Sequence, residues 1–278
     1  MLSDAIALFQ FPFMQRALIG GILTGLTGGL LGSLTVVRQL SFFSDALGHS
    51  AMLGVSLGII LGISSPTAVV IPFALLFALG VTYLIETTDL WTDALLNLIY
   101  SSALAISVIV LSLSGQYQGN IQTLLFGDIL ALSSSDLIIS GGLFLLCGLF
   151  MTLTLRTQML LSLNEALAVA RGVSVRLHRN AFMVLLSLLV ATSIKAIGVL
   201  LVGAFVVIPA CAARALSRNF TSYVLLSAGL GAFSAAAGMF CSGWLNTPSG
   251  PTIVVAQLML FLGASALPVF RRVRAGLA

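Results

Sequence analysis

Long apolar runs separated by short polar segments dominate the pattern of this chain. Most of these runs approach the length of about 20 residues that an α-helix needs to cross a bilayer. Nine of them occupy residues 16–37, 46–62, 66–85, 94–114, 136–155, 181–194, 196–213, 222–243 and 252–270. Lys195 interrupts the run from 181 to 213, which we interpret as two helices with a turn near 194–198, the alternative being one long broken helix. The pattern predicts an all-α polytopic bundle of about eight to nine transmembrane helices.

Composition supports a membrane environment. The 278 residues are 59% hydrophobic and only 7% charged, whereas a soluble domain carries roughly 25% charged residues. The mean hydropathy of +1.15 agrees. The net charge of +4 is not concentrated on a soluble face, which argues against nucleic-acid binding. We therefore expect residues 1–278 to form a single transmembrane domain of a multi-pass protein surrounded by membrane lipid.

The arginines predict the orientation of the helices. Basic residues concentrate in 156–180, 214–221 and 271–278, and loops rich in Arg and Lys stay on the cytoplasmic side. This leaves 115–135 and 246–251 on the external side. The N-terminus is then external if all five preceding runs cross, and cytoplasmic if 46–62 does not cross fully.

A small-residue strip runs along the first apolar segment. Glycine recurs at Gly21, Gly25 and Gly29, and again at Gly28 and Gly32. Glycine at every fourth position gives a flat helix surface that another helix can approach closely. The strip predicts a tightly packed bundle.

Asp45 and His49 are the candidate metal ligands. Ionisable groups inside a bilayer are costly and mark transport pathways or sites. At a spacing of four residues they share one helix face, and a carboxylate and an imidazole can bind one divalent cation. The alternatives are that Ser44 or Asp45 caps a helix starting near Ala46, and that His49 is a buried, hydrogen-bonded residue.

Two other segments carry polar groups of interest. Asp128 lies in the external segment 115–135, which is too short to span and is interpreted as a re-entrant or gating element, with a turn or capping carboxylate as the alternative. The stretch 164–173 is a short cytoplasmic helix ending in glycine, either an ordinary connector or a coupling helix that docks into a soluble partner. We expect Lys195 to be a snorkelling or paired structural charge.

The chain lacks a nucleotide-binding loop. A phosphate-cradling GxxxxGK[ST] loop requires a lysine after glycine, and the only lysine follows Ile194. If ATP drives transport, a separate chain must hydrolyse it. No nucleophile–base pair or complete metal triad is visible within the apolar runs, so we do not expect an enzyme.

Four stretches together resemble a known family. They are VVRQLSFFSDALGHSAMLGVSLG at 36–58, LLFGDILALS at 124–133, GVLLVGAFVVIPACAAR at 198–214 and TPSGPTIV at 247–254. In this order they resemble the permeases of bacterial ABC importers for divalent metals, the zinc and manganese uptake permeases. The resemblance covers nearly the whole chain. It departs from the family pattern at Asn246, where an acidic residue is common.

The resemblance implies a type II importer-like fold in the bacterial inner (plasma) membrane. It implies a homodimer of permeases, two cytoplasmic ATP-binding cassette subunits and an extracytoplasmic metal-binding protein. Asp45 and His49 would line the metal path, with Asp128 and Pro209 as candidate gate residues. The coupling residues would be Glu165, Ala166, Ala170, Arg171 and Gly172.

The metal would be cargo, and no permanently bound cofactor is expected. Two protomers would supply two nitrogens and two oxygens, a set that suits zinc, whereas manganese prefers more oxygen ligands. Zinc is therefore favoured, with manganese as the alternative. Since protonated His49 cannot bind metal, transport should weaken in acid.

A competing hypothesis is a proton-coupled secondary transporter or channel that uses Asp45 and His49 as a relay. Another is a membrane scaffold without transport.

Overall fold

The computed structural model describes residues 9–63, 66–114 and 125–276, and all the regular structure within them is helical. Its ten α-helices are α1 (Pro12–Val37), α2 (Ser41–Ile60), α3 (Pro66–Thr87), α4 (Thr92–Ser114), α5 (Ser134–Leu163), α6 (Glu165–Ala170), α7 (Val175–Ile197), α8 (Val202–Leu216), α9 (Phe220–Leu245) and α10 (Ser249–Gly276). A 3₁₀ helix at Ile129–Ala131 precedes α5. Residues 115–124 of the predicted external segment lie outside the described residues.

Seven of the described helices are long and apolar enough to cross a membrane. They are α1, α3, α4, α5, α7, α9 and α10. Helix α8, with 15 residues, is shorter, and α2 has 20 residues. Both run between neighbours that cross, so nine helices pass through the bundle in alternating directions, as the apolar pattern predicts.

Side-chain contacts show which helix ends lie together. Arg38, between α1 and α2, bonds to Gln158 near the end of α5. Glu86, near the end of α3, pairs with Arg179 near the start of α7. The positive-inside rule predicts that this arginine-rich end is cytoplasmic, and we call it the cytoplasmic end. The start of α1, the 3₁₀ helix and the turn between α7 and α8 lie at the opposite, external end.

Several predicted helix boundaries need correction. Helix α7 begins at Val175 instead of 181, so Arg176, His178 and Arg179 lie in a helix and not in a loop. Helix α5 continues to Leu163 instead of ending at 155, so Arg156 lies in a helix and not in a loop. Helix α2 begins at Ser41, one turn before the predicted start. The run 181–213 forms two helices as expected, but the turn falls at 198–201, where Gly198 adopts a φ of 88°.

Helix α1 is buried between α8 and α9, as its glycine strip predicts. A Cβ at Gly25 or Gly29 would collide with backbone carbonyls of α9, and one at Gly32 would collide with a carbonyl of α8. Ser227 Oγ on α9 also donates a hydrogen bond to the carbonyl of Gly29 at 2.6 Å. The strip thus allows backbone-to-backbone packing at the centre of the bundle.

Candidate metal site and coupling element

Asp45 and His49 lie inside α2, not at its end. Because the helix begins at Ser41, Asp45 is beyond the first turn and cannot serve as its N-cap. The capping alternative for Asp45 is therefore wrong. Both side chains are half-buried, and the helical spacing places them on one face, one turn apart.

A hydrogen bond fixes which nitrogen of His49 is free. Nδ1 lies 2.9 Å from the carbonyl oxygen of Asp45, and a carbonyl can only accept, so Nδ1 carries the proton. In the neutral ring Nε2 then holds the lone pair, which is the form that binds a metal. His49 is hydrogen-bonded, as the alternative interpretation expects, but it is half-buried and not buried. This bond leaves Nε2 available for a metal and does not compete with ligation.

Tyr100 on α4 holds the other side of the imidazole. Its ring is perpendicular to that of His49 with the centroids 4.9 Å apart, and perpendicular to that of Phe42 at 6.0 Å. Edge-to-face pairs of this kind favour one relative orientation of the rings. The sequence patterns did not single out Tyr100, because an aromatic residue in an apolar run is ordinary.

The site borders the turn between α7 and α8. A Cβ at Gly203, in the first turn of α8, would collide with the carboxylate of Asp45. A Cβ at Gly48 would lie 3.1 Å from the carbonyl oxygen of Val199. Helix α2 therefore contacts the turn at Gly48, which has no side chain, and Gly203 provides the space for the Asp45 carboxylate.

The external segment covers the same turn from outside. The Leu200 amide donates to the carbonyl of Leu125 at 3.1 Å, and the Asp128 amide donates to the carbonyl of Lys195 at 3.0 Å. Gly127 and Gly198 have φ values of 69° and 88°, and their backbones pack directly against each other. Residues 125–132, the turn and α2 thus form three successive layers.

The two candidate gate residues occupy different environments. Asp128 is exposed, and its carboxylate accepts a hydrogen bond from the Leu130 amide at 3.0 Å, capping the 3₁₀ helix. Pro209 is buried inside α8. A proline leaves the carbonyl four residues earlier without its helical donor, and this carbonyl, of Phe205, faces Gly28. The roles of Asp128 and Pro209 in gating stay predictions.

Lys195 is a paired charge, as expected. Its Nζ lies 2.6 Å from a carboxylate oxygen of Asp136. The same carboxylate accepts from the amide of Ser133 at 2.8 Å and completes a capping box at the start of α5. This pair joins the end of α7 to the start of α5 at the external end.

The predicted coupling stretch forms a separate short helix, α6. Asn164 caps it by accepting from the Leu167 amide at 3.0 Å, and Gly172 follows it with a φ of 75°. Ala168 is buried against the protein. The five residues assigned to coupling are all exposed: Glu165, Ala166, Ala170, Arg171 and Gly172. They are available for a soluble partner at the cytoplasmic end.

A charged cavity lies beside α6. It has a volume of about 530 Å³ and is lined in part by Glu86, Glu165, Arg176 and Arg179. Arg179 pairs with Glu86 at 2.5 Å and with Glu165 at 3.9 Å, and Arg176 reaches Glu86 at 3.6 Å. These ion pairs join α6, α3 and α7 through side chains.

The described residues of one chain do not bring together a complete set of metal ligands. Among residues 9–63, 66–114 and 125–276, no group of three or more His, Cys, Asp or Glu side chains could hold a metal ion. Protein sites for zinc supply three or four donors, whereas Asp45 and His49 supply two.

Comparisons with known proteins agree with this architecture. Residues 10–268 match the model of the ABC 3 transport family. The chain is 31% identical over 255 residues to the manganese import system permease protein ScaB of Streptococcus gordonii, covering 92% of this chain and 91% of the relative. It is 33% identical over 268 residues to the high-affinity zinc uptake system membrane protein ZnuB of Haemophilus influenzae, covering 95% and 100%.

Solved structures show the same fold. PsaBC from Streptococcus pneumoniae in complex with Fab superposes with a TM-score of 0.82 at 30% identity, covering 95% of both chains. An inward-facing conformation of a putative metal-chelate type ABC transporter superposes with a TM-score of 0.72 at 18% identity. At this identity the similarity supports the fold only. With a family match over nearly its whole length and relatives above 30% identity, this chain belongs to the ABC 3 transport family, as a multi-pass permease of the bacterial plasma membrane.

Proposed function

We propose that this chain is the permease subunit of an ATP-driven importer that carries a divalent metal ion into the cytoplasm. The observation that supports this proposal most strongly is the pair Asp45 and His49 inside α2. The hydrogen bond from His49 Nδ1 to the carbonyl of Asp45 leaves Nε2 available for a metal. A hydrated divalent ion entering the bundle would exchange part of its water shell for this nitrogen and the carboxylate oxygens.

The cargo site is completed by a second copy of the chain. Two donors are too few for a protein metal site, and two copies with their α2 helices facing each other supply two imidazoles and two carboxylates. This set suits tetrahedral zinc better than manganese, which takes more oxygen ligands. Zinc is the favoured cargo and manganese the second. The relatives include permeases named for each metal.

ATP hydrolysis belongs to separate cytoplasmic subunits. The sequence has no phosphate-cradling loop, and α6 presents exposed small and charged residues at the cytoplasmic end. Movement of α6 by the ATPase would switch access to the site between the external and cytoplasmic sides. An extracytoplasmic binding protein delivers the ion at the external end.

Reconstitution in proteoliposomes tests this function. Uptake of zinc and manganese is measured with the permease alone and with its ATPase and binding protein. We expect ATP-dependent uptake by the full system, reduced at least about tenfold by His49→Ala or Asp45→Ala, because even indirect support of a metal ligand is worth that much. Uptake by the permease alone, driven by a proton gradient, would establish the relay mechanism instead.

The second histidine is the matched control. His178 makes the same kind of bond, from Nδ1 to the carbonyl of Ser174 at 2.9 Å, but lies at the cytoplasmic end. His178→Ala should leave uptake unchanged. Equal losses in both variants would show that histidine removal acts through folding and not through the metal. Uptake of manganese without zinc would overturn the choice of zinc and leave the importer intact.

A further inference from the structure

Arg38 connects the turn between α1 and α2 to the end of α5. It is the C-cap of α1, and its side chain reaches across to the helix that leads into α6. Nη2 donates to Gln158 Oε1 at 2.5 Å and Nε donates to Ser162 Oγ at 3.2 Å. The guanidinium carbon lies 5.0 Å from the centre of the Phe182 ring on α7. From the turn between α1 and α2, this one side chain therefore contacts two other helices, α5 and α7.

The environment of Arg38 is unusual for a cation. Among the residues that the structure describes, no carboxylate forms an ion pair with it. Burial, and secondarily the charge of Arg179, lowers the pKa of Arg38 to about 10, so the guanidinium remains charged at neutral pH. Arg38 is half-buried, and its hydrogen bonds go to neutral groups, while Glu165 acts on it only through its charge. Taking a charge partly out of water without an ion pair costs free energy, which points to a role other than holding the fold together.

On one side, Arg38 is connected to the coupling helix. Gln158 is fully buried, and Ser162 Oγ donates to its carbonyl at 2.8 Å. Ser162 lies in the last turn of α5, two residues before Asn164, whose side chain caps α6. Asn164 is the one extended residue between α5 and α6, so we expect a displacement of α6 to move the two partners of Arg38 as well.

On the other side, Arg38 is connected to the ligand helix. The Arg38 amide donates to the carbonyl of Leu34 at 2.9 Å, and the Leu40 amide donates to that of Thr35 at 2.9 Å. Gln39 takes a φ of 58° in this tight turn. Helix α2 starts directly afterwards, and Asp45 and His49 lie in its first half. Helices are stiff along their axes, so a pull on Arg38 shifts both ligands together.

We propose that Arg38 is a positioning residue that couples the movement of α6 to the Asp45–His49 helix. When the ATPase moves α6 and the end of α5, the bonds from Gln158 and Ser162 to the guanidinium carry this displacement to the start of α2. Arg38 does not contact the ion. This inference rests on the proposed import function and adds the path by which the ATPase acts on the metal site.

The test compares metal transported with ATP hydrolysed in the reconstituted complex of permease, ATPase and binding protein. We expect Arg38→Ala to assemble with the ATPase and to hydrolyse ATP, while zinc uptake falls about tenfold, within the range for residues along a coupling path. The ATP consumed per ion then rises by about the same factor. Arg38→Lys keeps the charge but loses the two-point contact, so it should be intermediate.

Two further variants separate coupling from folding. Gln158→Ala leaves Arg38 in place and should give a smaller rise in ATP per ion. Combined with Arg38→Ala it should add nothing, as expected for two partners of one interaction. Arg156→Ala removes an exposed arginine from the same helix and should leave the ratio unchanged.

Two different results would contradict the inference about Arg38 and the proposed function, respectively. If the ATP hydrolysed per ion is unchanged in Arg38→Ala, whether or not uptake and hydrolysis both fall, Arg38 has only a structural role and the inference is wrong. A wild-type complex that hydrolyses ATP without importing metal would instead overturn the proposed function. The two failures are distinguished because the first appears only in the variants.

Discussion

The two ends of the bundle are held together in different ways. At the external end, the segment 125–132 and the turn between α7 and α8 contact each other through their backbones: Gly127 packs on Gly198, and the amides of Leu200 and Asp128 donate to carbonyls of the facing segment. The Lys195–Asp136 ion pair adds a side-chain contact at this end. At the cytoplasmic end, long charged side chains make the contacts, chiefly those of Arg38, Arg179 and Glu86.

The difference has a mechanical meaning. Backbone contacts at glycine have no side chain that could rearrange, so the contact between Gly127 and Gly198 keeps one geometry or is lost. Long side chains have several rotatable bonds and can follow a moving partner. We therefore expect substitutions at the external end to act on folding, and those at the cytoplasmic end to act on coupling.

The largest effect should come from Gly198→Ala. Gly198 has a φ of 88°, and a Cβ there would collide with the backbone of Leu125 and Gly127. With a ψ of 162° this backbone conformation is essentially restricted to glycine and costs roughly 1–3 kcal/mol for another residue, and overpacking adds roughly 1–3 kcal/mol. Thermal unfolding in detergent should show a clear drop in Tm, together with low expression.

Gly172→Ala is the matched control for this substitution. Gly172 has a φ of 75°, yet a Cβ there would meet nothing within 4 Å. Only the conformational cost of roughly 1–2 kcal/mol applies. Equal drops in Tm for the two variants would show that the backbone contact at the external end contributes little.

Gly203→Ala should act on the site more than on folding. Its Cβ would collide with the carboxylate of Asp45, and that group can rotate away, which moves it from the position it holds for the metal. We expect zinc uptake to fall about tenfold, as for lost support of a ligand, with little change in Tm.

Gly229→Ala provides the comparison, because Gly229 is also helical but a Cβ there would meet nothing within 4 Å. It should leave uptake unchanged and raise helix stability by up to about 1 kcal/mol. If Gly203→Ala transports normally, the carboxylate position seen here does not matter for transport.

Tyr100 offers a smaller test of the same site. Tyr100→Phe keeps the ring against His49 and should transport normally, whereas Tyr100→Ala removes the perpendicular contact. An aromatic pair is worth about 0.5–1.5 kcal/mol, so zinc binding to the permease should weaken by about two- to tenfold. Calorimetric titration of the purified permease measures this. A loss in Tyr100→Phe would assign a role to the hydroxyl instead.

The smallest effect on stability should come from Glu86→Gln. This removes the ion pairs to Arg179 and Arg176 at the cytoplasmic end, and partly exposed pairs contribute about 0–1 kcal/mol. Tm should change little. A drop comparable to that of Gly198→Ala would contradict the contrast between the two ends.

Several features could be predicted because they depend on local chemistry. The nine helical runs follow from hydropathy, the burial of α1 from its glycines, and the coupling helix from the stretch ending in Gly172. Asp45 and His49 stood out because polar groups are rare in this chain. The start of α2 was placed too late, since Ser41–Ser44 resembles a capping segment when its tertiary neighbours are unknown.

Other features depend on contacts between residues distant in sequence. Tyr100 lies far from His49 along the chain, and Gly203 lies far from Asp45, so no spacing rule joins them. The bonds from Arg38 to Gln158 and Ser162 span more than 100 residues, with separations of 120 and 124. Only the packing of α2, α4, α5 and α8 brings these groups together.

The sequence by itself determined that this protein is a helical membrane protein with one acid–imidazole pair in its apolar runs and without a GxxxxGK[ST] pattern, and that four of its stretches resemble a permease family, because hydropathy, residue rarity and motifs are properties of the chain. The tertiary structure decided the direction in which His49 offers its lone pair, what makes room for Asp45, and which residues of α5 Arg38 contacts. These features depend on which helices contact each other. At the glycine contacts and at the long arginine side chains, the packing of whole helices determines the contacts, and the local sequence does not.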